Sequence, residues 1–313
     1  MFSWIFLAVA AQCINAVVAI ADKYIVTSKK AMPQPFVYAF YTCIFAGAWV
    51  VVFAAGILPM PFFATLGVPS LSNIEYPSLA TAAIAFLSSY TFFIALVSLY
   101  SALRDADASD VIPVVGAVSA VVSFGLSYFF LDTRLTPHFI VGIVLLSVGT
   151  FLVSHLRFTW RTSLMSVHAG IFFAIHFVTL KGLFTATSFD NGFFWSRVTL
   201  FIVALSMLLI PKLFIKIHSQ TRATGARTGL LILGIKLLAE INSILILKAT
   251  ALGNVAVVQA LGGIQFVLIL FFSLFFGHKI PPEYGENIKH PHEMYHKVVF
   301  VSIITIGFLV LFL

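Results

Sequence analysis

Lys236 and Glu240 lie four residues apart within a long apolar run, so a helix there sets both on one face, with Ser243 continuing the stripe. An ammonium and a carboxylate at that spacing allow two readings. In one they satisfy each other and fix helix packing. In the other they face a wet cavity, where Glu240 binds a proton, a cation or a substrate amine and Lys236 governs its charge. Other polar groups sit at comparable depth. Gln12, Asn15 and Asp22 form a stripe at helical spacing with Ala19 between them, and His168 and His176 stand about 80° apart around a second helix. A histidine can carry a proton between about pH 5 and 8, although a buried one commonly serves as a hydrogen-bonded packing residue.

Other chemistries fall away. The sequence has no GxxxxGK[ST] phosphate loop, no HExxH zinc motif and no GxSxG nucleophile elbow. No enzymatic role and no cofactor are therefore expected, nor ATP-driven pumping by this chain alone. His290, His292, His296 and Glu293 crowd one connection, but their spacing closes no four-ligand zinc site, and a hydrated loop is expected. Asp105, Asp107 and Asp110, with Arg104 beside them, read as a solvated turn capping the next helix, with a gate contact as the alternative. Gly116, Ala120, Ser123 and Ser127 read as a small-residue packing seam. Cys13 and Cys43 fall inside apolar runs and are expected to pack, not to form a disulfide.

The elements that hold these groups follow from composition. Of 313 residues, 61% are hydrophobic and only 9% charged, and the mean hydropathy is +1.07. That is too little charge to coat a soluble protein of this length. Roughly 20 apolar residues in a helix cross a hydrocarbon layer about 30 Å thick. Crossings are predicted near 2–22, 35–58, 79–103, 110–131, 137–156, 164–186, 192–215, 229–249, 252–277 and 297–313. The runs are solidly apolar without period-two alternation, which selects helices over a barrel. The first run has no basic start and is interrupted by Gln12 and Asn15, so it reads as a membrane helix and not as a secretory signal. The net charge of +7 is spread over connections, which excludes a nucleic-acid stripe. Thirteen Lys and Arg in odd-numbered connections against four in even-numbered ones predict odd connections in the cytoplasm and both termini outside.

Residues 102–131 resemble residues 248–277 at a constant offset of 146, pairing Tyr90 with Lys236 and Pro113 with Gln259. In each copy a helix ends, a short polar break follows, and a new helix opens with small residues. A Pro-containing turn then leads to a last crossing carrying Gly149 or Gly307. A five-crossing unit repeated once must insert upside down. Such inverted repeats place a shared site near the midplane and give a route to alternating access.

The opening ASDVIPVVGAVSAVVSF, the turn LDTRLTP and the run GIVLLSVGTFLV, set in this five-plus-five layout, resemble the EamA-type branch of the drug/metabolite transporter superfamily. The likeness is concentrated in 108–153 and 254–312. It implies five-helix repeats at 1–157 and 163–313, transport of small metabolites without ATP, and a cavity walled by crossings one, three, four, six, eight and nine. Asp132 departs from the Glu usual in that turn, and the better-known members place both termini in the cytoplasm.

The expectation is an all-α polytopic protein of the inner or plasma membrane, with ten transmembrane helices in two inverted five-helix repeats. It would export or exchange a small metabolite, such as an amino acid or other zwitterion, driven by a proton or by the substrate's own gradient. The expected substrate-binding residues are Asn15, Tyr90, His176, Lys236, Glu240 and Gln259. The expected partners are a small-molecule substrate, membrane lipids and a coupling proton, with no nucleic acid; a homodimer is compatible with the sequence but not derivable from it. A flippase for lipid-linked or amphiphilic molecules and a non-transporting membrane scaffold are the alternatives.

Overall fold

A computed structural model describes residues 3–28, 31–55, 71, 74–132, 136–154 and 159–276, with positions 299, 303, 306 and 310. Every regular element among them is helical. The first, α1 (Ser3–Thr27), is about 37 Å long at 1.5 Å per residue, more than the hydrocarbon thickness. Next, α2 (Pro35–Ala48) starts on Pro35, whose missing N–H falls where no intrahelical bond is due, and α3 (Val51–Ala55) continues its path.

Short polar side chains start the following helices by accepting otherwise orphaned N–H groups. Ser78 caps α4 (Leu79–Asp105) through the Thr81 N–H. After α5 (Ala108–Phe130) and α6 (Pro137–Ser154), Thr159 caps α7 (Trp160–Ala186) and Ser188 caps α8 (Phe189–Ser206). A 3-10 turn at Met207–Leu209 leads to α9 (Pro211–Ala223) and then α10 (Ala226–Leu252). Asn254 caps α11 (Val255–Ala260), and α12 (Gly262–Phe276) follows. Seven of these stretches are long and apolar enough to cross a membrane. Large side chains face outward along them, Phe6, Phe129 and Leu230 all being more than two-thirds exposed. Water does not tolerate so continuous an apolar exterior, whereas lipid does. The chain is a membrane protein.

Two sequence boundaries change. The crossing expected at 192–215 stops at Leu209, because Pro211 cannot continue the ladder and holds Ile210 in extended geometry. The residues beyond form α9, about 20 Å long and too short to span. It is tied to α2 by the Tyr41 and Thr221 hydroxyls, 2.6 Å apart. The crossing expected at 252–277 is divided at Leu261. The tenth crossing lies, apart from four helical positions, outside the described residues, as do Arg134 and the connection with His290, His292, Glu293 and His296.

Packing follows a pattern of exchanged partners. α4 lies along α7 and α1 along α10; α5 packs on α7 and α12 on α1; α2 meets α8 and α5 meets α11. The α2–α8 contact depends on Gly47, where an added Cβ would stand 2.7 Å from Phe201 Cβ and 2.9 Å from its backbone. Two lysines fasten helix ends. Lys23 Nζ donates to the Leu103 and Ala106 carbonyls at 2.8 and 2.6 Å, at the C-terminus of α4. Lys181 Nζ donates to the Ala251 and Gly253 carbonyls at 2.7 and 3.0 Å, at the C-terminus of α10. Each ammonium satisfies carbonyls that have no partner within their own helix and sits at the negative end of its dipole.

Of the aspartate cluster expected to be a solvated turn, Asp105 is exposed and faces Arg104 at 3.2 Å, while Asp110 is buried in the first turn of α5. Asp107 is the N-cap residue, but its side chain makes no capping hydrogen bond.

Candidate functional site

Lys236 and Glu240 do share a face of α10, and both border a central cavity of about 200 Å³. They do not pair with each other. The Lys236 ammonium, 1% exposed, lies 3.0 Å from Asp22 Oδ1 and 3.1 Å from the Tyr100 hydroxyl, with the Tyr38 ring centroid at 4.1 Å. The Tyr38 hydroxyl donates to the same Asp22 oxygen at 2.5 Å. Two hydrogen bonds and an aromatic face thus saturate the three-donor ammonium. One turn later, Glu240 faces Arg197 of α8, with Oε2 3.4 Å from Nη1. That is ion-pair contact without hydrogen-bond geometry: among the described residues, Glu240 Oε2 and Arg197 Nε have no hydrogen-bond partner. Arg197 is steered by Nη2 donating to Ser243 Oγ at 2.5 Å, and its guanidinium lies 4.6 Å from the Phe193 ring centroid.

Neutral polar groups complete the wall. Asn15 donates to Gln265 Oε1 at 2.9 Å and accepts from Asn242 at 3.3 Å, joining α1, α10 and α12. Gln259 of α11 accepts from Ser119 of α5 at 3.2 Å. His176 places Nδ1 2.9 Å from both the hydroxyl and the carbonyl of Ser88, while its ring lies 4.6 Å from that of Phe92. Aromatic and aliphatic groups, Phe173, Phe177 and Leu180 among them, cover the remaining wall.

Five of the six residues expected to bind substrate therefore line one cavity: Asn15, His176, Lys236, Glu240 and Gln259. Tyr90 does not. It points away from the bundle, 46% exposed. The cause is a one-residue slip in register. The α4 and α10 helices end at the caps Ala106 and Gly253, which are 147 apart, not 146. At 147 the counterpart of Lys236 is Ser89, which is buried, borders the cavity and sits 2.7 Å from Thr199 Oγ1. The cavity walls agree with this register. Ser89, Phe92, Leu96, Leu99 and Tyr100 each stand 147 residues before a lining residue of α10.

The small-residue seam also divides. Ala120, Ser123 and Ser127 are buried, but Gly116 borders the cavity and has nothing within 4 Å of an added Cβ. His168 contacts Ser98 at 2.8 Å and does not line the cavity.

Arg197, one of the four cations that the sequence assigns to even-numbered connections and their edges, instead lies within a helix and lines the cavity. The apolar run predicts a crossing from 192, whereas α8 opens at Phe189 and sets Arg197 roughly 12 Å along it. The signal was present: a cation inside an apolar run needs a partner, and Glu240 was in want of one. The cavity thus holds both charge signs, amide and imidazole groups, and an apolar wall.

No curated protein matches this sequence. A solved crystal structure of another protein is similar over 97% of each chain at 16% identity and a TM-score of 0.60. At that identity the likeness shows a shared fold. Residues 2–155 match the EamA-like transporter family. Through these residues the chain belongs to that family, part of the drug/metabolite transporter superfamily, and is a membrane protein of the transporter type.

Proposed function

We propose that this protein is a secondary transporter of a small zwitterionic metabolite, of the amino acid type, working by alternating access with ten crossings in two inverted five-helix repeats. The observation that carries the reading is a cavity bordered by two ion pairs, Lys236–Asp22 and Arg197–Glu240, on helices from both halves of the chain. Ionised groups at membrane depth cost at least ~2.5–3.5 kcal/mol each on insertion scales, so four around one hollow call for a function there. The exchange of packing partners supports the inverted repeat, since α4–α7 answers to α10–α1 and α5–α7 to α12–α1.

A cavity of about 200 Å³ lies below the ~300–1,000 Å³ of drug-sized sites, which favours a metabolite over an amphiphile and weighs against a flippase. A scaffold predicts Lys236 and Glu240 locked together in dry packing, whereas each has its own partner beside open space. In this reading Glu240 takes a substrate ammonium or a coupling proton. Asn15, His176 and Gln259 orient the substrate, and the protein resides in an inner or plasma membrane.

Counterflow in reconstituted vesicles tests the proposal. Vesicles loaded with the twenty amino acids should accumulate at least one of them as a labelled tracer, and Glu240→Gln should abolish coupled movement. Absence of counterflow for all twenty, or full coupling in Glu240→Gln, overturns it.

A further inference from the structure

We infer that the two buried ion pairs have separate duties: Arg197 and Glu240 are the two poles that receive the substrate's carboxylate and ammonium, while Lys236 and Asp22 form a fixed brace. The inference rests on the transport reading and goes further, assigning each end of the substrate to one side chain and its body to the apolar wall.

The hydrogen-bond inventories separate the pairs. Lys236 is satisfied by Asp22 and Tyr100 and covered by the Tyr38 ring, and Asp22 accepts from both Lys236 and Tyr38. A ligand could displace these bonds only by leaving two charges and two phenols to be satisfied again. Arg197 and Glu240 are equally buried, each 4% exposed, yet their closest approach is 3.4 Å. A charge-assisted N–H···O bond is about 2.7–2.9 Å long. Glu240 Oε2 and Arg197 Nε each keep unused hydrogen-bonding capacity among the described residues. Two neutral acceptors elsewhere on the cavity wall, Gln12 Oε1 and Asn242 Oδ1, are likewise without a partner among the described residues.

Charge balance selects the ligand. A zwitterion placed between the poles gives each a partner of opposite sign and leaves the net charge of the cavity unchanged. A monoamine or a monoacid would satisfy one pole, strand the other and add an uncompensated charge in a region of low dielectric. Surplus acceptors on the wall of the same cavity suit a ligand that brings more donors than Glu240 alone can accept, as the three donors of an ammonium do. Phe173, Phe177 and Leu180 offer an apolar wall, so the fitting molecule is an α-amino acid with an apolar side chain.

Binding of three probes to the purified full-length protein in detergent, followed by thermal shift and calorimetry, tests the assignment: leucine, 3-methylbutylamine, which lacks the carboxylate, and 4-methylpentanoate, which lacks the ammonium. The wild type should prefer leucine over either analogue by at least ~100-fold, since each analogue leaves a buried group unpaired. Arg197→Gln should lose leucine and gain the amine; Glu240→Gln should lose leucine and gain the acid. The Asp22→Asn/Lys236→Met double variant should melt at a lower temperature with the order of preference kept. Comparable wild-type affinity for leucine and either analogue overturns the assignment without recourse to variants that fold poorly. So do single variants that show no reciprocal gain, or a brace variant that reverses the preference. Transport of another amino acid with no leucine binding also sinks this inference and spares the transport reading; no counterflow of any amino acid sinks both.

Discussion

Asp22 and Lys236 are 214 residues apart in sequence and meet at 3.0 Å, one from the first helix and the other from the tenth. Removing the ammonium alone leaves a carboxylate buried among two tyrosines. Lys236→Met is therefore expected to lower stability by about 3–5 kcal/mol, the usual cost of an orphaned buried charge. Adding Asp22→Asn should recover a substantial part of it. Denaturation in detergent, analysed as a double-mutant cycle, measures the coupling. A double variant as unstable as the sum of the single ones would show that the pair does not act as a unit.

Lys23 and Lys181 perform the same task at two helix junctions, so their loss should be felt locally. Hydrogen bonds to charged groups contribute roughly 1.5–3 kcal/mol each. Lys23 is the more buried of the two, and Lys23→Met should cost more than Lys181→Met. Hydrogen exchange should quicken around residues 103–110 in the first variant and around 250–257 in the second. Uniform exchange over both junctions in either variant would contradict the assignment of one lysine to one junction.

How far the sequence foretold this arrangement depends on what each feature rests on. Helix existence follows from long apolar runs, and the described crossings stand where those runs are. Ends defined by a local signal were open to reading, such as Ser78 and Thr159. Pro211 carries a comparable stop, masked in the sequence by the apolar residues just beyond it, Leu213, Phe214 and Ile215. Cavity residues were legible where polarity at depth was the clue, as for Asn15, His176, Lys236, Glu240 and Gln259. Partnership was not. Spacing on one helix pointed from Lys236 to Glu240, but the opposite charges closest to them come from α1 and α8, and no periodicity along α10 reports on those. Tyr90 shows how sensitive facing is: one residue of register turns a helix by 100° and exchanges wall for exterior.

Gly47 and Gly234 separate close approach from mere helix content. At Gly47 a methyl group would meet the backbone of Phe201, which cannot swing aside, so Gly47→Ala should destabilise by about 1–3 kcal/mol through overpacking. At Gly234 nothing lies within 4 Å, and Gly234→Ala should be neutral or gain up to ~1 kcal/mol from helix propensity. Thermal denaturation of the two variants checks the contrast. A Gly47→Ala protein as stable as wild type would mean that α2 and α8 can part at little cost.

Ser89 and Tyr90 offer the sharpest test of which register the cavity obeys. The two positions are adjacent, yet Ser89 is 2% exposed and borders the cavity while Tyr90 is 46% exposed on the outer surface. Ser89→Trp pushes an indole into a space of about 200 Å³ beside Arg197, and it breaks the hydroxyl contact to Thr199. Uptake into vesicles should fall by about ten-fold or more, the equivalent of ~1.4 kcal/mol. Tyr90→Ala removes only outward-facing surface and should keep uptake within about two-fold of wild type. Ser89→Ala serves as the control for the lost hydroxyl: it keeps the space open and should retain most activity. Reversal of the first two results would restore the offset of 146 and place the outer face of α4 on the transport path. The predicted order follows from helix geometry, because the same 147-residue shift that joins Ser89 to Lys236 also joins Tyr100 to Leu247 along an entire wall of the cavity.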